Sequence, residues 1–304
     1  APISPSRTLS DIINDRFDFK SKIGGMENVF EEIFTSVLLP RLYPQNFFAK
    51  TGINHTRGLL LHGPPGTGKT LIAQTVCALL NVTPKIVRVP EIFSCMLGDS
   101  EKRIRDLFDD AREDQLNFGA SSKLHVIVFD EIDAICKRRG NRNEIRETVH
   151  DNVTTQFLAE IDGMIQLDNI LLIGTTNNLD IIDPAILRPG RIEMLIKIEP
   201  PDANARFCIF DIHTRALLRN GALSSDVDVS NIIRYTNGLT GAHIERVVRL
   251  AVQVAMRRDV IHRGRFDISL QEAENLEVSN DDFIKALEKL NMHQDNTPLF
   301  HENQ

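Results

Sequence analysis

Long hydrophobic runs are missing from this chain. None approaches the ~18 consecutive apolar residues of a transmembrane helix, and the Pro- and Ser-bearing N-terminus has no apolar signal-peptide core. The pattern predicts a cytoplasmic protein with no direct membrane insertion. Cysteine is scarce too: Cys77, Cys95, Cys136 and Cys208 stand far apart with no Cys-x-x-Cys pair, which argues against a zinc or redox motif and for reduced thiols. A basic excess is also lacking, since 35 Lys and Arg against 42 Asp and Glu give 35 − 42 = −7. That balance is poor for gripping a nucleic-acid backbone. No internal repeat or low-complexity tract occurs, and a chain of 304 residues with 42% hydrophobic and 25% charged residues has the composition of a folded, water-soluble protein. It begins Ala-Pro-Ile rather than with Met and ends in a polar stretch, which suggests an excised piece of a longer chain.

From Leu59 to Ile198 short apolar runs alternate with longer amphipathic stretches, the pattern of parallel strands joined by crossover helices. The strand candidates are Leu59–His62, Ile86–Val89, Val126–Phe129, Ile170–Ile173 and Ile192–Ile198. After Pro200-Pro201 the period changes to that of helices. Ile244, Val247, Val248, Ala251 and Ala255 fall on one helical face, and Phe283, Ile284, Leu287 and Leu290 follow a Ser279-x-x-Asp282 start signal. The expected fold class is α/β, a doubly wound parallel P-loop sheet with a C-terminal α-helical lid. The expected division is a linker at 1–20, a large α/β subdomain at 21–200, a small helical lid at 201–291 and a polar tail at 292–304.

Gly63-Pro64-Pro65-Gly66-Thr67-Gly68-Lys69-Thr70 lies between an apolar strand and the helical run Leu71 to Leu80. It fits G-x-x-x-x-G-K-[ST] in the context that pattern requires. Glycines let the backbone wrap phosphates, so that successive N–H groups and the following helix N-terminus face the anion. Pro65, Gly66, Thr67, Gly68, Lys69, Thr70 and Leu71 are therefore the phosphate-binding candidates. Lys69 should reach the terminal phosphates, and the Thr70 hydroxyl is a hard oxygen suited to Mg²⁺. Nucleoside triphosphate binding follows.

Val126 to Phe129 deliver Asp130 and Glu131 to a strand's C-terminal end, where open α/β sheets hold ligands. Asp130 suits the magnesium shell, and Glu131 is the candidate base that deprotonates water in line with the terminal phosphate. On its own an Asp-Glu pair there could equally cap a helix; beside the phosphate loop the catalytic reading is preferred. A third strand ends in Gly174-Thr175-Thr176-Asn177-Asn178, offering Asn177 to the attacking water and terminal phosphate, although Asn is also an ordinary turn residue. No Asn-Lys-x-Asp motif occurs, so ATP/ADP rather than a guanine nucleotide is expected.

Gly63 to Thr70, Phe129-Asp130-Glu131-Ile132-Asp133 and Asp183-Pro184-Ala185-Ile186-Leu187-Arg188-Pro189-Gly190-Arg191 together resemble the AAA family of ATPases, over about Ile23 to Leu290. Within that family Phe17 to Gly25, Leu124 to Lys137 and Gly174 to Asn177 are most similar to the first ATPase domain of members that disassemble SNARE complexes in vesicle traffic. A valosin-containing-protein-like unfoldase domain is the alternative. The resemblance implies a homo-oligomeric ring, a hexamer, with SNARE complexes engaged through adaptor proteins. It further implies Asn177 as sensor residue and Arg188 and Arg191 as fingers reaching a neighbouring subunit's nucleotide. Adenine contacts are implied at Ile23, Gly24, His213, Gly241 and Ala242; a lone helical His213 would otherwise read as a packing residue. A module that binds ATP mainly to assemble rings would be expected to lose Glu131 or the arginines, and this chain keeps them.

Two positions depart from the family pattern. The first pore loop, usually aromatic, reads Met96-Leu97-Gly98, an adaptable apolar grip without the aromatic contact. Thr67 stands where the SNARE-disassembling members often carry Cys. The basic run Lys137 to Arg142 has no interleaved aromatics to stack bases and reads as a solvated loop.

Overall fold

The structure is a computed structural model and describes residues 23–43, 55–89, 99–136, 145–164 and 167–294. The described chain divides at Glu199/Pro200 into two compact units. The first unit, from Asn28 to Glu199, is built on five strands: β1 (Gly58–His62), β2 (Lys85–Arg88), β3 (His125–Asp130), β4 (Ile170–Thr176) and β5 (Met194–Lys197). They pair in the order β2-β3-β4-β1-β5, and every pairing is parallel. The α-helices of this unit are α1 (Glu27–Ile33), α2 (Lys69–Leu79), α3 (Asp99–Phe118) and α4 (Ile145–Met164), with α1 prolonged by a π-helical turn, Phe34–Leu38, and a short α-helical turn, Leu39–Leu42. The expected α/β parallel sheet is present.

Position in the sheet explains each strand's sequence. All seven residues of β4 are buried, as are the first four of β1 and the central four of β3. These central strands are covered on both faces and so read as unbroken apolar runs. The edge strands β2 and β5 alternate between covered and open positions, and Ile86 and Leu195 remain exposed. β5 is shorter than its apolar run because Ile192 N–H turns back to the Ile186 carbonyl. Leu60, Ile127, Phe129, Ile170 and Leu172, alternate residues on three strands, share one core with α3 and α4. In α3 the buried apolar positions are Ile104, Phe108 and Ala111, and in α4 they are Val153, Phe157, Ile161 and Met164, spacings that keep one helical face inward. Phe157 meets Phe129 edge-on with ring centroids 5.0 Å apart. The α2 helix begins at Lys69, inside the phosphate-loop motif and two residues before the expected start.

The second unit takes in Pro200 onward together with the lead-in segment through Glu27. Its helices are α5 (Ala203–Arg219), α6 (Val229–Tyr235), α7 (Gly241–Arg263), α8 (Leu270–Glu274) and α9 (Asn280–Gln294). Ile244, Val247, Val248, Ala251 and Ala255 of α7 pack with Phe283, Ala286, Leu287 and Leu290 of α9, around Phe210 of α5. The predicted start at Ser279 is capped by Asp282: the Ser279 N–H and hydroxyl donate to the buried Asp282 carboxylate at 3.0 and 2.9 Å, which also receives Arg258 at 2.9 Å. α9 continues to Gln294, past the boundary read at 291. The lead-in segment groups with this unit rather than with the α/β subdomain because Gly24 and Gly25 lie flat on α5. A Cβ on Gly24 would come within 2.8 Å of the Cys208 Cβ, and one on Gly25 within 2.2 Å of the Ala205 Cβ.

Among the described residues no helix is long and apolar enough to cross a membrane, and Cys77, Cys136 and Cys208 are free thiols. The linker at 1–20, the residues after 294, Cys95, the pore-loop candidates Met96, Leu97 and Gly98, and the basic run 137–142 lie outside the described residues.

Phe157 anchors the layer between β3 and α4. Phe157→Ala should lower the unfolding free energy of the α/β unit by about 3–5 kcal/mol, whereas Leu116→Ala on the open face of α3, where Leu116 is 86% exposed, should change it by less than about 0.5 kcal/mol. Urea titrations of both variants check the contrast.

Candidate functional site

Because β1, β3 and β4 are parallel neighbours, their C-terminal ends emerge on one edge of the sheet. β1 leads into Gly63, β3 ends at Asp130 and β4 ends at Thr176. One hydrogen bond ties two of these ends together: Gly63 N–H donates to the Thr176 carbonyl at 3.3 Å. Only glycine fits at 63, where an added Cβ would sit 2.1 Å from the Ile198 carbonyl oxygen. Gly68 caps α2 with φ 92°, in the left-handed region, which glycine enters without steric cost.

The loop is held from within. Thr67 is buried and its hydroxyl donates to the Pro64 carbonyl at 2.9 Å. Lys69, 7% exposed, folds back so that Nζ donates to the carbonyls of Gly63 at 2.8 Å and Pro64 at 2.7 Å. Burial pulls the Lys69 pKa down, opposed by the nearby carboxylates of Asp130 and Asp133. Pro65 and Gly66 are open to solvent, and Leu71 is exposed on the first turn of α2.

Facing the loop is a set of hydroxyl–carboxylate contacts. Asp130 Oδ1 accepts the Thr70 hydroxyl at 3.0 Å and the Thr175 hydroxyl at 2.7 Å. Thr175 Oγ in turn accepts the Glu131 N–H at 3.1 Å. Glu131 is exposed and adopts a left-handed backbone, φ 59° and ψ 52°, uncommon for a residue with a side chain. Next along β4, Thr176 donates to Asp133 Oδ1 at 2.8 Å and accepts the Asn178 N–H at 3.1 Å. Asn177 follows directly after the strand, exposed at the same edge. Thus Lys69, Thr70, Asp130, Glu131 and Asn177 all lie where β1, β3 and β4 end. Thr70 and Asp130, two hard oxygen donors already in contact, match what a divalent magnesium ion takes. The sequence presents Thr175 and Thr176 as polar groups at this edge without showing their partners, which lie more than 40 residues away.

The two arginines differ. Arg188 is exposed, and its side chain has no hydrogen-bond or ion-pair partner among the described residues, although its carbonyl accepts the Arg191 N–H at 3.0 Å. Arg191 is held within its own subunit by a forked pair to Asp162, Nε–Oδ1 2.6 Å and Nη2–Oδ2 2.8 Å, and donates also to the Ala185 carbonyl. The fork is the geometry in which guanidinium–carboxylate pairs are strongest.

The adenine candidates belong to the second unit. Ile23 is buried and Gly24 abuts α5, the helix that carries the half-buried His213. Gly241 and Ala242 open α7 behind a cap in which Thr240 and His243 bond reciprocally.

Three histidines report on this burial. His62, ending β1, is pushed below its ordinary pKa by burial and by Lys197 and Lys69. His213 is pushed down by burial and Arg249 against an opposing Glu245, and His243 by burial and Arg246. Each folded unit therefore binds fewer protons than its unfolded chain as pH falls below the ordinary histidine value of 6.5. Stability is full above that value and declines below it. The thermal midpoint should be lower at about pH 5.5 than at about pH 7.5, with a shallower decline in His213→Gln; differential scanning fluorimetry across that range measures both.

Comparison with known proteins agrees with this geometry. Residues 59–200 match the ATPase family associated with various cellular activities, AAA. The chain is 43% identical over 290 residues to the vesicular-fusion protein SEC18 of Saccharomyces cerevisiae, covering 94% of this chain and 37% of that protein. It is 43% identical over 279 residues to the vesicle-fusing ATPase of Caenorhabditis elegans, covering 91% and 34%. It is also 39% identical over 289 residues to the cell division cycle protein 48 homolog of Archaeoglobus fulgidus, covering 95% and 37%. The chain spans little more than a third of the length of these relatives.

Proposed function

The chain belongs to the AAA family of ATPases, and from that premise we propose that it is an ATP-hydrolysing module that drives disassembly of protein complexes, SNARE complexes in vesicle fusion foremost. The observation that carries the hydrolytic reading is the junction of Lys69, Thr70, Asp130 and Glu131 at one sheet edge. The relatives named for vesicle fusion support the cellular role.

Binding starts from the loop's own backbone. The carbonyls of Gly63 and Pro64 now occupy the Lys69 ammonium; an incoming terminal phosphate exchanges those neutral acceptors for charged oxygens, a stronger class of partner. The N-terminus of α2 adds its orphan N–H groups to the same anion. Thr70 and Asp130 are the residues that would hold Mg²⁺, which when bound neutralises phosphate charge. Glu131 orients a water and takes its proton as the oxygen attacks the γ-phosphorus. The bond to the bridging oxygen breaks, ADP departs, and the proton passes to phosphate. Asn177 orients the same water. Ile23, Gly24, His213, Gly241 and Ala242 are the proposed adenine contacts.

Arg188 and Arg191 are proposed as fingers acting on a neighbouring copy in a homo-oligomeric ring, a hexamer by family resemblance. Arg188 is already exposed. Arg191 must exchange Asp162 for phosphate, so in this proposal assembly competes with an intrasubunit ion pair. Substrate would be engaged through adaptor proteins outside these residues, in the cytoplasm, with Met96, Leu97 and Gly98 as pore-loop candidates. The similarity to the cell division cycle protein 48 homolog favours an unfoldase of the valosin-containing type as the second reading.

Glu131→Gln should keep ATP affinity within a fewfold while cutting phosphate release by about 10² to 10⁴. Unchanged turnover would remove Glu131 from its role. Mixing Glu131→Gln chains with Arg188→Ala chains should restore turnover at interfaces that combine an intact base with an intact finger, of the large kind known for supplied arginines. Absence of recovery in verified mixed rings would contradict sharing between subunits.

A further inference from the structure

We propose that Thr175 is a positioning residue of the hydrolytic site, its single hydroxyl fixing the Asp130 carboxylate and the Glu131 backbone in one arrangement. The proposal rests on the hydrolytic reading above and deepens it.

The β3–β4 ladder ends at the pair Phe129 and Gly174. Beyond it β4 continues beside β1, with Leu61 opposite Thr175, while the other chain turns into the left-handed conformation at Glu131. That turn takes the Glu131 N–H out of the sheet and would leave it without a partner at the base of the catalytic side chain. Thr175, 2% exposed on the central strand, supplies the acceptor at 3.1 Å. A peptide N–H can only donate, so the hydroxyl proton must point elsewhere, and it points to Asp130 Oδ1 at 2.7 Å. The same oxygen receives the Thr70 hydroxyl from the phosphate loop. One oxygen and one proton thus connect the phosphate loop, the magnesium-binding candidate and the backbone carrying the base. The partners are saturated and the directions fixed, so the rotamer of Thr175 sets where Glu131 begins.

A buried threonine that merely satisfies its own hydroxyl would influence stability alone. A positioning residue influences turnover at saturating nucleotide, because misplacing a base by about 1 Å costs up to about 10²-fold while leaving phosphate binding intact.

The test compares kcat at saturating ATP with affinity for a fluorescent ATP analogue, at protein concentrations where assembly is complete, in Thr175→Val, Thr175→Ser and Thr175→Ala. Valine keeps the branched shape and strand preference while removing the hydroxyl. Serine and alanine both lose the methyl and differ only in the hydroxyl. The expected result is a kcat lowered ten- to a hundredfold in Val and Ala, within about threefold of the parent in Ser, and analogue affinity within about threefold throughout. If Val fails to fold, the Ser-to-Ala ratio of at least about ten carries the same content. Equal kcat in Ser and Ala, or a parent-like kcat in Val, overturns the positioning role while leaving hydrolysis standing. A parent chain without turnover, or Glu131→Gln with full turnover, overturns the hydrolytic reading itself.

Discussion

Parallel pairing of β4 between β1 and β3 is the constraint on which the rest depends. It brings the end of β1, with its phosphate loop, beside the ends of β3 and β4, with their carboxylates and hydroxyls. Thr70 stands 60 residues before Asp130, and Asp130 45 before Thr175; these stretches meet because the strands run the same way. The Gly63–Thr176 hydrogen bond continues that ladder into the loop. The apolar layer beneath keeps the edge rigid: β4 is buried along its whole length, and Phe129 is wedged against Phe157. Packing thereby fixes the height of each strand end, and with it the separation of the groups proposed to act on one phosphate.

At that edge the charges are arranged to be exchanged. There Lys69 rests on two carbonyls and Asp130 on two hydroxyls, whereas Arg191, at the opposite end of the sheet beside Gly58, rests on Asp162. Each is satisfied, as a half-buried charge must be, yet the partners of Lys69 and Asp130 are neutral. Neutral partners yield more readily to a phosphate than a second ion would. Arg191 is the exception, since its forked ion pair sets a threshold that ordinary hydrogen bonds do not. The two arginines of one motif are therefore unequal: Arg188 is open to solvent and Arg191 is held by Asp162.

The central strands and the phosphate loop were legible because their signals are local. Double-sided burial writes an unbroken apolar run, and phosphate wrapping writes glycines at fixed spacing. Asp130 and Glu131 were legible because a strand terminates at them. The edge strands were found but misjudged at their ends; at β5 a single backbone bond from Ile192 decides. Less accessible were contacts between residues distant in sequence. Nothing in Gly174-Thr175-Thr176 distinguishes a hydroxyl bound to Asp130 from one facing water, and nothing around Asp162 announces Arg191. The lead-in glycines gave their conformational freedom away but not their partner, α5, which groups residues 23–27 with the helical unit.

The central claim is that one sheet edge, formed by the ends of β1, β3 and β4, is the nucleotide site. Amide hydrogen exchange with and without a slowly hydrolysed ATP analogue tests it most directly. The account predicts slowed exchange confined, within the α/β unit, to Gly63 to Thr70 and to the peptides holding Glu131 and Thr175 to Asn177. Unchanged exchange in those segments under saturating analogue, with slowing elsewhere in the unit, would contradict it.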